Sequence, residues 1–354
     1  MKVLRYLVIL SAILIFSCTK ETPGISQKKV ALTKLYTIEG YADNGKDSLR
    51  SFSVFKSIIH YGSDNHLYIY DFKLGSVKIF DDKGEFKVSL GKKGMGPEEI
   101  ESLNTFYTFR DTVFVVDNRT KLKKFSKEGH LFEIKPVSSD IMSHPQHCHQ
   151  VNDSTIIGQV TEFIQETDKL ILRIKLAIMD KGFKIRKIVS SKDIDYVTAN
   201  RNMDIYPIFT LSNDRIYLTN KSKTEYKIQV FSFSGEYIKT IKKKYIRTRF
   251  SKEEMELLKK DKSENPYFDE FYDYKVSILS LSTDKYGNLW VQKGDIGTKI
   301  TFDIFNEEML IAEFSYDLKK EDGDYAQKII FVKNKMYIHD YDNNLIKVYD
   351  YKIE

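Results

Sequence analysis

An all-β repeat fold, a six-bladed β-propeller of four-stranded antiparallel blades, is what this sequence predicts, and three observations predict it. The stretch Ser53–Glu99 holds four strand-length runs rich in Tyr, Phe, Ile and Val, with polar clusters such as Gly62-Ser63-Asp64-Asn65 and Asp81-Asp82-Lys83-Gly84 between them. Weaker copies of that unit recur to the C-terminus at roughly 45 residues each, the period of a four-stranded blade. The last copy has only three runs, and a spare run near the start, Lys34–Glu39 (KLYTIE), can supply the fourth. A ring closed by strands from both ends of the chain leaves no open edge for aggregation.

The first unit contains the runs Val54–His60, His66–Phe72, Ser76–Phe80 and Glu85–Leu90. The second spans Leu103–Val137 and keeps its register, with VFVVD against LYIYD and a glycine at the same place in the last turn. A turn that needs positive φ accounts for that glycine. The third unit, Ile141–Ser190, reads as the least regular, with strands at Thr155–Val160, Leu170–Met179 and Lys184–Val189. The fourth runs Asp204–Lys243. The fifth places strands at Val276–Leu281, around Leu289–Val291, at Lys299–Phe305 and at Met309–Phe314, and the sixth at Gln327–Val332, Lys335–His339 and Leu345–Tyr349. Together these runs assign residues 30–354 to one propeller.

The N-terminus gives an address. Lys2 and Arg5 precede an apolar core of about ten residues, Leu7–Phe16, within the range of a secretory signal and too short to span a bilayer. The run ends Ile15-Phe16-Ser17-Cys18, which resembles the bacterial lipoprotein signal, in which the cysteine is lipidated and becomes the first residue. The resemblance implies a signal peptide at 1–17 and a lipid anchor on Cys18; an ordinary signal with an incidental cysteine is the alternative. Thr19 in place of Asp implies, by the same resemblance, the outer rather than the inner membrane. Residues 18–29 are polar and aperiodic, a tether. With Cys18 lipidated, Cys148 is the only other cysteine, so no internal disulfide can form. The 56 basic and 50 acidic residues give a net charge of +6 and are interspersed, which argues against a nucleic-acid partner.

One insertion interrupts the repeats, at 250–274. Ser251-Lys252-Glu253-Glu254 is a capping box, with Phe250 and Met255 placed as a hydrophobic staple, so a short helix is expected to about Lys260. Beyond Pro266, the run at 267–274 is aromatic and acidic. Tyr267, Phe268, Phe271 and Tyr272 are candidate ligand-stacking residues, or else a packed connection between blades. Asp284-x-x-Gly287-Asn288-Leu289-Trp290-Val291, Phe80-Asp81-x-x-Gly84 and Gly91-x-x-Gly94-x-Gly96-Pro97-x-Glu99 resemble the six-bladed β-propeller lipoproteins common in Bacteroidota, which are similar to NHL-repeat propellers. That resemblance implies a fold and a location and supplies no catalytic residue.

No reaction announces itself. Gly91–Gly96 lacks the following helix of a dinucleotide loop and the Lys-Ser/Thr of a P-loop, and reads as a crossover between blades. A Gly-x-Ser-x-Gly elbow is absent. His144-Pro-Gln-His147-Cys148-His149 is the most unusual local composition. In an extended strand His147 and His149 share a side facing the central channel, a candidate half-site for Zn or Cu that needs further ligands. Polar channel lining is the other reading. The innermost runs Ile278–Leu281 and Ile329–Val332 carry no acid, which weakens a metal-dependent hydrolase or lyase at the channel. The expectation is therefore a lipid-anchored envelope module that binds or scaffolds a peptide, a glycan or a partner protein, with any cofactor unknown and the hydrolase or lyase as the alternative.

Overall fold

The computed structural model describes residues 29–39, 59–62, 64–71, 74–137, 143–196, 206–256, 273–295, 299–317, 328–340 and 345–354. The expected sites Cys18, Tyr267, Phe268, Phe271 and Tyr272, with the signal segment, most of the tether and the middle of the insertion, lie outside them.

Blade one consists of β2 (Ile59–Tyr61), β3 (Leu67–Asp71), β4 (Ser76–Phe80) and β5 (Phe86–Leu90), hydrogen-bonded in that order. Blade two is β6 (Leu103–Phe109), β7 (Thr112–Asp117), β8 (Lys121–Ser126) and β9 (Leu131–Pro136). Blade three is β10 (Ser143–Asn152), β11 (Thr155–Gln165), β12 (Leu170–Met179) and β13 (Ile185–Asp195). Blade four is β14 (Ile208–Ser212), β15 (Arg215–Thr219), β16 (Tyr226–Ser232) and β17 (Tyr237–Lys243).

The remaining strands form one eight-stranded sheet, which is two blades joined at their inner strands. Blade five is β18 (Ser280–Asp284), β19 (Asn288–Gln292), β20 (Lys299–Asn306) and β21 (Met309–Asp317). Blade six is β22 (Lys328–Lys333), β23 (Lys335–Asp340), β24 (Leu345–Ile353) and β1 (Val30–Glu39) as its outermost strand. A short parallel pairing, Thr283 to Val332 and Asp284 to Lys333, links β18 to β22. The expected closure therefore holds: β1 pairs antiparallel with β24 from Val30 opposite Ile353 to Glu39 opposite Leu345.

Burial explains why these runs are strands. The second and third strands of a blade lie between two neighbouring blades, so LYIYD, SVKIF and NLWVQ are buried at every position. The outermost strand has one wet face and alternates, as in FKVSL of β5.

The turn into that strand repeats a device. A side-chain oxygen accepts the backbone N–H groups of the turn, as Asp81 Oδ1 does from Lys83 and Glu85, and Asp180 Oδ1 from Gly182 and Lys184. A left-handed residue then completes a bulge: Gly84 (φ 83°), Gly129 (φ 102°) and Gly235 (φ 79°), but Phe183 (φ 65°) in blade three.

Gly84 is constrained twice. Its φ is left-handed, and an added Cβ would lie 2.4 Å from Cδ2 of Tyr36 on the closing strand β1. Gly84→Ala is expected to lower stability by about 1–3 kcal/mol, read as an earlier urea midpoint with an unchanged slope.

Blade three is the least regular in register, as expected, although its strands are ten or eleven residues long: its pairing shifts twice between β10 and β11 and twice between β12 and β13. Its left-handed Phe183 stands where blades one, two and four carry glycine. One expectation needs correction. The inner strand of blade five is Ser280–Asp284, not Val276–Leu281, and so it does end on an acid. Asp284 is consumed locally, accepting from Tyr286 N, Asn288 N, Asn288 Nδ2 and Trp290 Nε1.

Candidate functional site

The inner strands bring His60 of blade one beside His149 of blade three, their ring centroids 5.8 Å apart, with Phe209 of blade four 5.9 Å beyond His149. Thr108 Oγ1 lies 2.8 Å from His60 Nε2, and the Thr108 backbone N–H donates to the same nitrogen at 3.1 Å. Accepting that N–H commits the Nε2 lone pair, so the proton of neutral His60 sits on Nδ1. Burial, and then the neighbouring His149, lower the His60 pKa to about 3, while burial alone lowers that of His149 to about 4. Both rings are neutral at pH 7. With one nitrogen engaged and the other protonated, His60 offers the channel a donor rather than a metal ligand.

A β-bulge separates the two histidines singled out in the sequence. The register of β10 against β11 shifts between Gln146 and His149, and His147 is left-handed at φ 46°. The period-two alternation that would put His147 and His149 on one side does not carry across that bulge. Cys148 is buried between blades two and three, its N–H donating to Thr105 Oγ1 at 3.3 Å. Burial pushes its thiol pKa up, away from the thiolate a nucleophile or a metal requires. Among the described residues no group of three or more His, Cys, Asp or Glu is placed to hold a metal ion.

The two faces of the disc are unequal. Hairpins joining first to second and third to fourth strands are tight and lie on one face. Connections from second to third strands, and from each blade to the next, lie on the opposite face and include every long one. We call this the connection face. The glycine-rich segment 91–100 is one of these connections and is filled by its own acid. Gly96 N donates to Glu99 Oε2 at 2.8 Å, Lys92 Nζ lies 3.2 Å from Glu99 Oε1, and a Cβ on Gly94 would meet Glu99 Oε2 at 2.0 Å. It is a crossover stabilised from within, as its sequence suggested.

The insertion leaves from the connection face between blades four and five. Its capping box forms, with Ser251 N donating to Glu254 Oε2 at 2.8 Å and Glu254 N to Ser251 Oγ at 3.2 Å, and one helical turn follows over 252–256. On the returning side the Arg247 guanidinium lies 3.5 Å from the Tyr274 ring centroid, and Arg249 Nε donates to the Tyr274 hydroxyl at 3.2 Å. Lys275 bridges Glu254 at 2.6 Å and Asp295 at 3.2 Å, which ties the insertion to blade five.

Beside this base lies a cleft of about 200 Å³. Tyr226, Lys243 and Tyr245 line one wall, and Lys275, Lys293 and Asp303 another. Sequence reasoning missed these residues. The run Lys242-Lys243-Lys244 looks like an ordinary solvated strand end, and nothing local to Asp303 distinguishes it.

Residues 56–210 match the model of a family described as a 6-bladed beta-propeller, a span covering blades one to three and the start of the fourth. The chain is a six-bladed β-propeller. Two solved structures have a similar fold. One is a protein of Bacteroides fragilis described as exported, at 13% identity and TM-score 0.55, the alignment covering 94% of this chain and 97% of that one. The other is a member of the duf4221 family from Bacteroides vulgatus, at 11% identity and TM-score 0.51, covering 93% and 99%. At such identities the likeness of this propeller to them is one of fold. No curated protein matches the chain in sequence.

Proposed function

We propose that this propeller is a lipid-anchored binding or scaffolding protein of the cell envelope, engaging a peptide, a glycan or a partner envelope protein through its connection face.

 The anchor in this reading is Cys18, the address is the outer membrane, and the binding surface is the connection face. The single observation that carries the binding role is the asymmetry of the disc: one face carries tight hairpins, while the other carries every long connection and the cleft. Function sits preferentially on loops presented by a rigid scaffold, and a polar cleft among them is the default binding site. Two features support the address: the charge, apolar core and cysteine of residues 2–18, and a structural neighbour described as exported. A metal-dependent hydrolase or lyase has no specific observation in its favour: the channel pairs a proton-bearing His60 with His149, and among the described residues no third ligand joins them.

Both halves of the reading are testable in cells. Cys18→Ala is expected to abolish incorporation of labelled palmitate and to release the protein from the membrane fraction; retained label would overturn the anchor. A photo-crosslinking residue at exposed Met95, on the connection face, is expected to give adducts, whereas one at exposed Tyr286, in a hairpin of the other face, gives none. Adducts at Tyr286 alone, or at neither position, would refute the binding surface.

A further inference from the structure

The closing strand fixes where the N-terminal segment leaves the disc. In blade six, β23 passes into β24 on the connection face, so β24 runs from that face at Leu345 to the hairpin face at Ile353. β1 pairs with it antiparallel, Val30 opposite Ile353 and Glu39 opposite Leu345, and therefore begins at the hairpin face. Lys29 and Glu354 close that end of the ladder, Lys29 N donating to Glu354 O at 3.1 Å and Glu354 N to Lys29 O at 2.8 Å. The ladder overshoots the hairpin of its own blade. β23 pairs with β24 only as far as Lys335 opposite Asp350, and residues 351–353 continue beyond it with β1 alone. Val30, Leu32 and Ile353 of this overshoot pack against the cluster around Trp290, which fixes its direction.

The chain from Cys18 to Lys29 can reach at most about 40 Å, whatever its conformation. β1 alone rises about 30 Å from Val30 to Glu39. To bring the level of Glu39 to a surface that holds Cys18, the segment has to run back beside its own strand almost fully extended. Blade three raises the demand. Arg110 of blade two pairs with Asp153 of blade three at 2.8 Å, which sets the two blades level on the hairpin face. β11 has eleven residues where β7 has six, so the far end of blade three stands about 17 Å further out on the connection face. A flat bilayer laid across that face would lie roughly 45 Å from Lys29, beyond the reach of the segment.

We infer that the hairpin face is the one turned to the membrane, held there by the short segment from Cys18, and that the connection face is presented away from the lipid to a partner arriving through the aqueous phase. The inference rests on the reading of Cys18 as the lipid anchor and deepens it by assigning the two faces. Beside the exit of the chain the hairpin face carries apolar side chains suited to a lipid surface. Tyr286 and Met309, 63% and 68% exposed, lie in the two hairpins of blade five, and Lys285 N of the first hairpin donates to Lys333 O of blade six. Tyrosine favours the interface between headgroups and acyl chains. Asp153, Asp214, Glu307 and Glu308 in hairpins of the same face oppose an anionic headgroup, so a zwitterionic surface suits it, and the anchor rather than charge supplies the affinity.

Energy transfer on lipidated full-length protein in phosphatidylcholine vesicles tests the orientation. Lys83→Cys, in the second hairpin of blade one, and Met95→Cys, on the connection that follows the same blade, each take a donor fluorophore at an exposed site, while Cys148 is buried. The vesicles carry an acceptor on the headgroup. Transfer from position 83 is expected to exceed that from position 95 several-fold, and equal transfer or the reverse order would overturn the assignment. A Gly/Ser insertion of about twenty residues after Lys28 adds up to about 70 Å of reach and is expected to narrow the ratio. A ratio unchanged by the insertion would mean that the length of the segment does not set the orientation. Protein that fails to float with the vesicles removes the anchor and this inference with it, whereas protein that floats with the wrong order of transfer removes the orientation alone.

Discussion

Lys123→Met is expected to destabilise the propeller by about 3–5 kcal/mol, the cost of leaving a buried charge without its partner. Lys123 and Asp117 are almost wholly buried, with Nζ 2.8 Å from Asp117 Oδ2. The ammonium also donates to the Gly96 and Glu99 carbonyl oxygens of the glycine-rich connection, while Asp117 Oδ1 accepts the N–H groups of Glu101 and Ser102, both at 2.9 Å. One ion pair thus fastens the crossover from blade one onto blade two from both ends. Removing the lysine strands Asp117 and two carbonyls at once. Neutralising the acid as well, in Asp117→Asn/Lys123→Met, is expected to recover part of the loss, because an asparagine still accepts the two N–H groups and its amide can donate to a freed carbonyl. Urea unfolding of both single variants and the double variant closes the cycle. A Lys123→Met cost under about 1 kcal/mol would mean that the pair contributes no more than an exposed one.

The same pair shows what was and was not legible in the sequence. The strands were legible because burial in a blade is periodic: LYIYD and VFVVD read as buried runs, FKVSL as an alternating one, and Asp-x-x-Gly as the turn between them. The closing strand was legible by elimination, since the sixth unit lacked a fourth run. Blade three was obscured by its register shifts and by Phe183, which takes the left-handed position that Gly84, Gly129 and Gly235 take elsewhere. Its side chain is buried with Tyr107 and Cys148, so packing against blade two offsets the backbone strain.

Contacts between blades left no local trace. His60 meets His149 although 89 positions separate them, because the ring sets blades one and three near each other across the axis. Lys243 and Lys293 converge on Asp303 for the same reason, from two blades. A run of lysines on an outer strand carries no sign of which acid its neighbour will present. The fold could therefore be read from periodicity and turn chemistry, and the candidate site could not, since it exists only where two blades meet.

Trp290→Ala is expected to cost about 3–5 kcal/mol, and Trp290→Phe about 1–3 kcal/mol. The only tryptophan of the chain is completely buried at the junction of blades five and six. Its ring stacks on Phe331 of β22 at 3.7 Å between centroids and 13° between planes, and meets Tyr351 of β24 edge-on at 5.0 Å. Its Nε1 donates to Asp284 Oδ2 at 3.0 Å, the carboxylate that also organises the turn from β18 to β19. Phenylalanine keeps most of the stack and loses the donor; alanine loses both and leaves a cavity between two blades. Because β18 and β22 pair over only two residues, this aromatic stack is a principal contact holding the two blades side by side. The alanine variant should therefore lose amide protection in β22 as well as in its own blade, whereas phenylalanine confines the loss to the Asp284 turn. Circular dichroism in urea gives the two costs, and hydrogen exchange gives their location. Equal costs for the two variants would place the energy in the hydrogen bond and not in the stack.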